Sequence, residues 1–173
     1  MTTRHDEPIP GSDAAYEADQ RRQEAFDVAW RFLAHRDRTE AEVRRNFARK
    51  RVDPNLAEEV VQALREGRYI DDAAFARRFA EDRRSLDGWG SERIERRLQE
   101  LGVDRLHIRP ALEATAHDEL DAAAELLRRR FPNPPETPRD LERALGFLVR
   151  KGYELELAHD ALRRHAGRTI DTD

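Results

Sequence analysis

The chain contains no cysteine among its 173 residues, so disulfides and cysteine metal sites are excluded, and redox chemistry leaves no clue to its compartment. No stretch approaches the roughly 20 consecutive apolar residues that a membrane helix needs, and the N-terminal segment lacks the apolar core of a signal peptide. We therefore expect a soluble, cytoplasmic protein with no membrane attachment. Glycine and proline are scarce, at eight each, against 39% charged and 38% hydrophobic residues. So few breakers and so much charge favour helices with highly charged outer faces, and an all-α fold is the expectation.

Catalytic patterns are missing too. His159 and His165 stand six apart, on different faces of a helix, while His107 and His117 have no carboxylate partner at metal-ligand spacing. No metal site and no cofactor are expected. Gly88-Trp89-Gly90 lacks the third glycine, the Lys-Ser/Thr and the preceding strand of a phosphate loop. The adjacent Asp71 and Asp72 read better as helix-capping groups than as an acid pair. With no nucleophile elbow either, we expect a binding protein and not an enzyme.

Charge is what the chain has in quantity, and it is segregated. The formal net charge is −4, but residues 21–51 carry ten basic and five acidic side chains, and residues 53–72 carry two basic and six acidic. Such segregation can produce one basic and one acidic surface. Thirty of the 32 basic residues are arginine.

Local signals set the helix boundaries. Residues 1–17 hold Pro, Gly and acids without a periodic apolar face, and read as a disordered acidic tail. A first helix over about 19–34 presents Phe26, Ala29, Trp30 and Leu33. Thr39-Glu40-Ala41-Glu42 has the form of a capping box, and the helix it opens shows Val43, Phe47 and Lys50 inward. Asp53-Pro54 is a cap followed by a first-turn proline, opening a helix with Leu56, Val60, Val61 and Leu64 inward. Gly67 is expected to take the positive φ that ends this helix, with Asp71 capping the next. Tyr69 and Ile70 would pack under that turn, and Phe75, Phe79, Asp82 and Leu86 recur at helical spacing behind it. Gly88-Trp89-Gly90-Ser91 is a second tight turn, leading into a helix with Ile94, Leu98 and Leu101 on one face. Four prolines in residues 132–138 interrupt the last third of the chain, and Thr137-Pro138 restarts a helix with Leu141, Ala144, Leu145 and Leu148 inward.

A repeat with offsets of 51 and 50 residues runs through these elements. Val43, Phe47, Arg51 and Val52 correspond to Ile94, Leu98, Gly102 and Val103, and again to Ala144, Leu148, Gly152 and Tyr153. Asp53, Asp104 and Glu154 follow as capping groups, and Val61, Leu112 and Leu162 lie farther on in the same register. A period near 50 built from three helices predicts an elongated array in which each repeat covers its neighbour's apolar edge. The repeats are expected at 18–70, 71–117 and 118–166, with a short polar tail at 167–173. Because every stripe has a neighbour to cover it, a monomer is expected.

The run Gly67-Arg68-Tyr69-Ile70-Asp71-Asp72-Ala73-Ala74-Phe75-Ala76, followed by Arg83-x-x-x-x-Gly88-Trp89-Gly90-x-x-Arg93-Ile94-x-x-x-Leu98, resembles the bacterial regulatory protein RecX family. Leu148-Val149-Arg150-Lys151-Gly152-Tyr153 is similar to the family's C-terminal pattern, so the resemblance covers about residues 20–166. Arg51, where the other repeats have glycine, and the proline-rich segment depart from it. The resemblance implies a regulator that binds the RecA recombinase along the groove of its nucleoprotein filament and restrains filament growth, ATP hydrolysis and strand exchange. Gly67, Tyr69, Asp71, Asp72, Phe75, Gly88, Trp89, Gly90, Ile94, Leu98 and Gly102 are expected to be structural.

For the contact itself, exposed arginines are the candidates. Arg93, Arg96, Arg97 and Glu100 share one flank when Ile94 is buried, while Arg77, Glu81 and Arg84 are expected to point away from Phe75 and Phe79. Arg44, Arg45 and Arg49 offer a third stripe. Mixed Arg-acid stripes suit a protein partner, because guanidinium forks pair with carboxylates and charge pattern fixes register. The rival reading is a stand-alone DNA-binding protein that lays basic helix faces on the phosphates of single- or double-stranded DNA.

Overall fold

The computed structural model describes residues 12–167, which form nine α-helices, one short 3₁₀ turn and no strand. Of the two expected tails, residues 1–11 and 168–173 lie outside the described residues. The chain divides into two compact units, residues 1–70 and 71–173.

The first unit holds α1 (Ser12–Leu33), α2 (Glu40–Arg49) and α3 (Pro54–Glu66). Helix α1 therefore begins inside the segment read as a tail, at Ser12, and continues through the Asp-Ala-Ala-Tyr-Glu-Ala run of residues 13–18. Good helix formers there outweigh the lack of an apolar face. The start of α2 is fixed by the expected capping box: Glu42 N–H donates to Thr39 Oγ1 and Thr39 N–H to Glu42 Oε2, each at 3.2 Å. Asp53 caps α3 by accepting from the N–H groups of Asn55 and Leu56. The core is Ala25 and Ala29 of α1, Val43 and Phe47 of α2, Val60, Val61 and Leu64 of α3, and Ile70. Full burial of a side chain such as Phe47 contributes about 1.5–3 kcal/mol. Lys50, expected on the inner side of α2, is exposed, because α2 ends at Arg49 and the turn carries Lys50 off the apolar face.

The second unit contains two three-helix groups: α4 (Asp72–Asp87), α5 (Ser91–Leu101) and α6 (Arg105–Glu113), then α7 (Glu119–Arg130), α8 (Pro138–Lys151) and α9 (Leu155–Gly167). Asp71 accepts from Ala74 N–H at 2.8 Å and opens α4, and Thr137 opens α8 by accepting from Asp140 N–H. Helix α4 packs on α6, and α7 on α9. Alanines occupy both crossings: Ala76, Ala80 and Ala111 in one, Ala123, Ala124, Ala158 and Ala161 in the other. This corrects the stripe expected for α4. Its buried row is Asp72, Ala76, Ala80 and Arg84, one position over from Phe75 and Phe79. Those two rings stack at 6.0 Å on the shoulder of the crossing, where small residues let the backbones approach and large ones cannot enter. Leu86 is 79% exposed.

The 50-residue repeat is realised in the backbone. At the end of α2, α5 and α8, Val52, Val103 and Tyr153 donate to Phe47, Leu98 and Leu148 carbonyls, at 3.1, 3.0 and 3.1 Å. The residue before each donor is left-handed: Arg51 at φ 57°, Gly102 at 87° and Gly152 at 89°. The arginine that departs from the glycine pattern thus leaves the turn's geometry intact and bears the steric cost. Gly67 behaves otherwise than expected. Its φ is −74°, and the left-handed position at the end of α3 falls on Arg68, at 58°. A Cβ on Gly67 would lie 2.7 Å from the Tyr69 ring, so a side chain there would push that exposed ring aside, and no positive φ is involved.

Two outcomes follow for the first unit. Replacing Arg51→Gly removes a left-handed penalty of about 1–2 kcal/mol, partly offset by about 0.5–1 kcal/mol of added chain entropy, so urea denaturation should show a small gain in stability. The second concerns Glu42. Burial works to raise its pKa, but the hydrogen bond from Arg36, the Thr39 N–H and the charges of Arg36 and Arg38 together hold it below the ordinary glutamate range. A carboxylate depressed in the folded state contributes stability above its unfolded pKa, and loses it as pH falls through the folded value. Stability measured from pH 7 down to 3 should therefore drop on the acid side, and Glu42→Gln should flatten that limb while lowering the neutral plateau.

A seam between the second and third repeats and the arginines around it

Helix α4 ends at Gly88, left-handed at φ 62°. The chain then has two residues in which to start α5, and its N-cap position is Gly90, which has no capping side chain. The acceptors come from the third repeat. Gly90 N–H donates to Lys151 O at 2.9 Å and Glu92 N–H to Gly152 O at 3.1 Å. Glu119, at the start of α7, takes Ser91 N–H on Oε1 at 2.7 Å and Ser91 Oγ–H on Oε2 at 2.6 Å. The positive end of α5 thus meets the negative end of α8 and a carboxylate, the favourable polarity for both dipoles.

Contact at this seam is backbone on backbone. A Cβ at Gly90 would lie 2.3 Å from the Gly152 carbonyl, and one at Gly152 would lie 2.3 Å from Arg93 Cβ. Gly90 has φ −80°, so its glycine reflects the approach of the third repeat and not backbone strain. Lys151 adds a bond from Nζ to Asp87 O at 2.8 Å.

Arg84 completes the joint and overturns the role expected for it. Its side chain is 6% exposed, Nη1 lies 3.3 Å from Glu119 Oε2, and Nη2 donates to Ser91 Oγ at 2.8 Å. It sits in the buried row of α4, one of whose faces it shares with Ala76 and Ala80, so it cannot reach a partner from outside. Tyr153, fully buried, lies close enough to feel both charges; burial, with Glu119 adding and Arg84 opposing, pushes its pKa up to about 12 and keeps it neutral.

The remaining candidate arginines fall into three groups. Arg93 is half-buried, with its guanidinium carbon 4.2 Å from the Trp89 ring centre and Nη1 3.4 Å from Arg150 O. Trp89 also has Arg83 over its ring and Phe79 at its edge, 5.5 and 6.3 Å away. Arg44 is held by Glu58 at 2.9 Å and Glu40 at 3.1 Å, while Arg97 pairs with Glu100 at 2.7 Å and Arg49 donates to Asn46 at 3.1 Å. Arg45, Arg77 and Arg96 are exposed, and among the described residues Arg77 and Arg96 carry no ion pair. The structure therefore brings Arg93, Arg96 and Arg97 together on α5 and removes Arg84 from the surface. Glu119 was missed by sequence reasoning. The available signal was a helix opening at Gly90-Ser91 without a good capping side chain at its N-cap, which requires an acceptor from elsewhere in the fold.

The chain is an all-helical protein of tandem three-helix repeats, the second and third of which share buried polar contacts. Profiles described as the first, second and third three-helix domains of RecX match residues 25–64, 71–112 and 117–162. A regulatory protein RecX of Amycolatopsis mediterranei is 30% identical over 148 residues, covering 84% of this chain and 85% of its own. One from Geobacillus thermodenitrificans is 33% identical over 154 residues, 87% of this chain, but the chain spans only 57% of that relative's length. The crystal structure of RecX from Lactobacillus salivarius shares the fold, with a TM-score of 0.76 at 16% identity over 85% of this chain and 97% of that one. The chain belongs to the RecX family of regulatory proteins.

The seam is directly testable. Gly90→Ala, at an unstrained φ, would be neutral or stabilising in an isolated repeat. Here it should cost about 1–3 kcal/mol by overpacking, seen as a lower midpoint in thermal denaturation. Glu119→Ala leaves Arg84 buried without its counter-charge and should cost about 3–5 kcal/mol.

Proposed function

We propose that this protein binds the RecA recombinase on its DNA filament and restrains filament growth, ATP hydrolysis and strand exchange, acting as a cytoplasmic monomer without catalytic chemistry of its own. The observation that carries the reading is the family membership across all three repeats. The joint between the second and third repeats supports it: buried backbone and ionic contacts hold α5 and its arginines on a two-repeat platform, and several weak contacts made together by one chain multiply.

Within that reading, Arg96, Arg97 and Arg77 make the partner contacts in the second repeat, with Arg44, Arg45 and Arg49 in the first. Arg93 acts from its seat on Trp89, and Arg84 takes no part at the surface. Exposed guanidiniums favour acidic side chains on the partner.

The test is RecA ATP hydrolysis on single-stranded DNA, titrated with the wild-type protein and with Arg96→Glu/Arg97→Glu. Both side chains are exposed, so the double variant should keep its helical circular dichroism. Inhibition by the wild type, weakened at least tenfold in the folded variant, is the expected outcome, since a reversed rim charge costs on the order of a kcal/mol or more. A wild type that fails to inhibit at saturation would reject the proposal.

A further inference from the structure

The outer face of α8 breaks the repeat. In the register that aligns Leu148 with Leu98 and Phe47, the residues Leu141, Leu145 and Val149 stand where the second repeat has Ser91, Glu95 and Gln99 and the first has Glu40, Arg44 and Ala48. Spaced four apart, the three form one row along the helix. Leu145 leans on the core of the third repeat, but Leu141 and Val149 belong to no core cluster and are each 42% exposed. A row that is polar or small in two repeats becomes a continuous apolar stripe in the third.

Beside the stripe the helix is bare. Gly146 occupies the position held by the exposed Arg45 and Arg96 in the other repeats. A glycine inside a helix weakens it relative to alanine, and no neighbouring element of this chain calls for one here. A Cβ at Gly146 would meet only the tip of the Arg150 side chain, its Nη1 at 3.1 Å. At Gly90 and Gly152 the missing Cβ admits another backbone of the same chain. At Gly146 the equivalent room is unused.

The joint between the second and third repeats indicates what such a face receives. Ser91, the counterpart of Leu141, bonds through its N–H and its hydroxyl to Glu119 at the start of α7. The same register position on α5 therefore seats a helix. On α8 the polar attachment point is replaced by leucine, so the stripe suits the apolar side of a helix, and Gly146 lets its backbone come close.

Charge selects among helices. Arg139 and Arg150 lie on the Gly146 side, eleven residues and roughly 16 Å apart, and neither has an ion pair among the described residues. Arg143 lies between them, paired with Asp140, and Glu142 borders the stripe. Arginine is in excess on this side, which favours a partner helix with acids at both ends of its apolar row.

We propose that the outer face of α8 is a docking surface for an acidic amphipathic helix of a partner protein, with Leu141, Leu145 and Val149 as the apolar seat, Gly146 as the point of closest approach and Arg139 and Arg150 at its ends. It uses none of the arginines assigned to the recombinase contact and does not rest on that reading.

The test uses the full chain and two fluorescein-labelled helical peptides of about 18 residues, long enough to hold a helix. Both carry leucines at i, i+3, i+4 and i+7; one has glutamates on its flanks and the other lysines. Fluorescence anisotropy should show the glutamate peptide binding at least about fivefold tighter than the lysine peptide. Gly146→Gln should raise the thermal midpoint, because glutamine is the better helix former, yet weaken peptide binding roughly tenfold by filling the space the partner needs. Leu141→Ser/Val149→Gln, which restores the residues of the second repeat, should weaken it similarly with helical circular dichroism intact. Arg139→Glu/Arg150→Glu should reverse the preference between the peptides. No binding of the glutamate peptide, no preference for it, or unchanged binding by the folded Gly146→Gln variant would overturn the proposal. So would a dimer in sedimentation that Gly146→Gln dissolves, since the occupant would then be a second copy of this chain. Failure of the wild type to inhibit RecA would leave the result standing, because no recombinase is present in this assay.

Discussion

The approach of Gly90 to Gly152 is the constraint on which the second unit depends. Two backbones lie so close that neither glycine can carry a Cβ, and that contact brings the carbonyl end of α8 to the amide end of α5. Four amide or hydroxyl donors of the Gly90–Glu92 segment find their acceptors on Lys151, Gly152 and Glu119. Buried polar groups left without partners are expensive, so α5 could not start where it does without the third repeat. The Gly-Trp-Gly motif is therefore three devices in three residues: a left-handed helix stop at Gly88, a ring that seats Arg93 at Trp89, and a close-contact surface at Gly90.

Around this contact lies the ion pair of Arg84 and Glu119, with Ser91 between them. Its worth lies in geometry more than in net stabilisation, because desolvating two charges offsets much of their attraction. A buried guanidinium and carboxylate that must stay paired admit few relative placements of α4, α5 and α7. A purely apolar seam of alanines and leucines would tolerate sliding. For a protein proposed to contact successive subunits of a polymer, fixed spacing between repeats is the property such an interface supplies.

The first unit solves the same turn problem by other means. Its α2 stop uses Arg51 where the later repeats use glycine, and its Gly67 stands beside a left-handed Arg68. In each case the backbone hydrogen bond from the following residue is retained, Val52 to Phe47 and Tyr69 to Leu64. The bond, and not the residue identity, defines the repeat, which is why the pattern survives substitution at the position that sequence inspection weights most.

Helix number, the 50-residue repeat, the caps at Thr39, Asp53, Asp71, Asp104 and Thr137, and the core positions Val43, Phe47, Ile94, Leu98 and Leu148 were determined by the sequence alone, because caps and apolar periodicity act within one helix and its adjoining turn. The motif that carried the family resemblance is equally local. The fate of Arg84, the capping of α5 by Glu119, the aromatic shoulder of α4 and the seating of Tyr69 over Gly67 were decided by tertiary structure. Each depends on which of several similar helix faces another segment covers. One arginine reads like the next along a charged helix, and only the packed neighbour determines which becomes buried and which stays exposed.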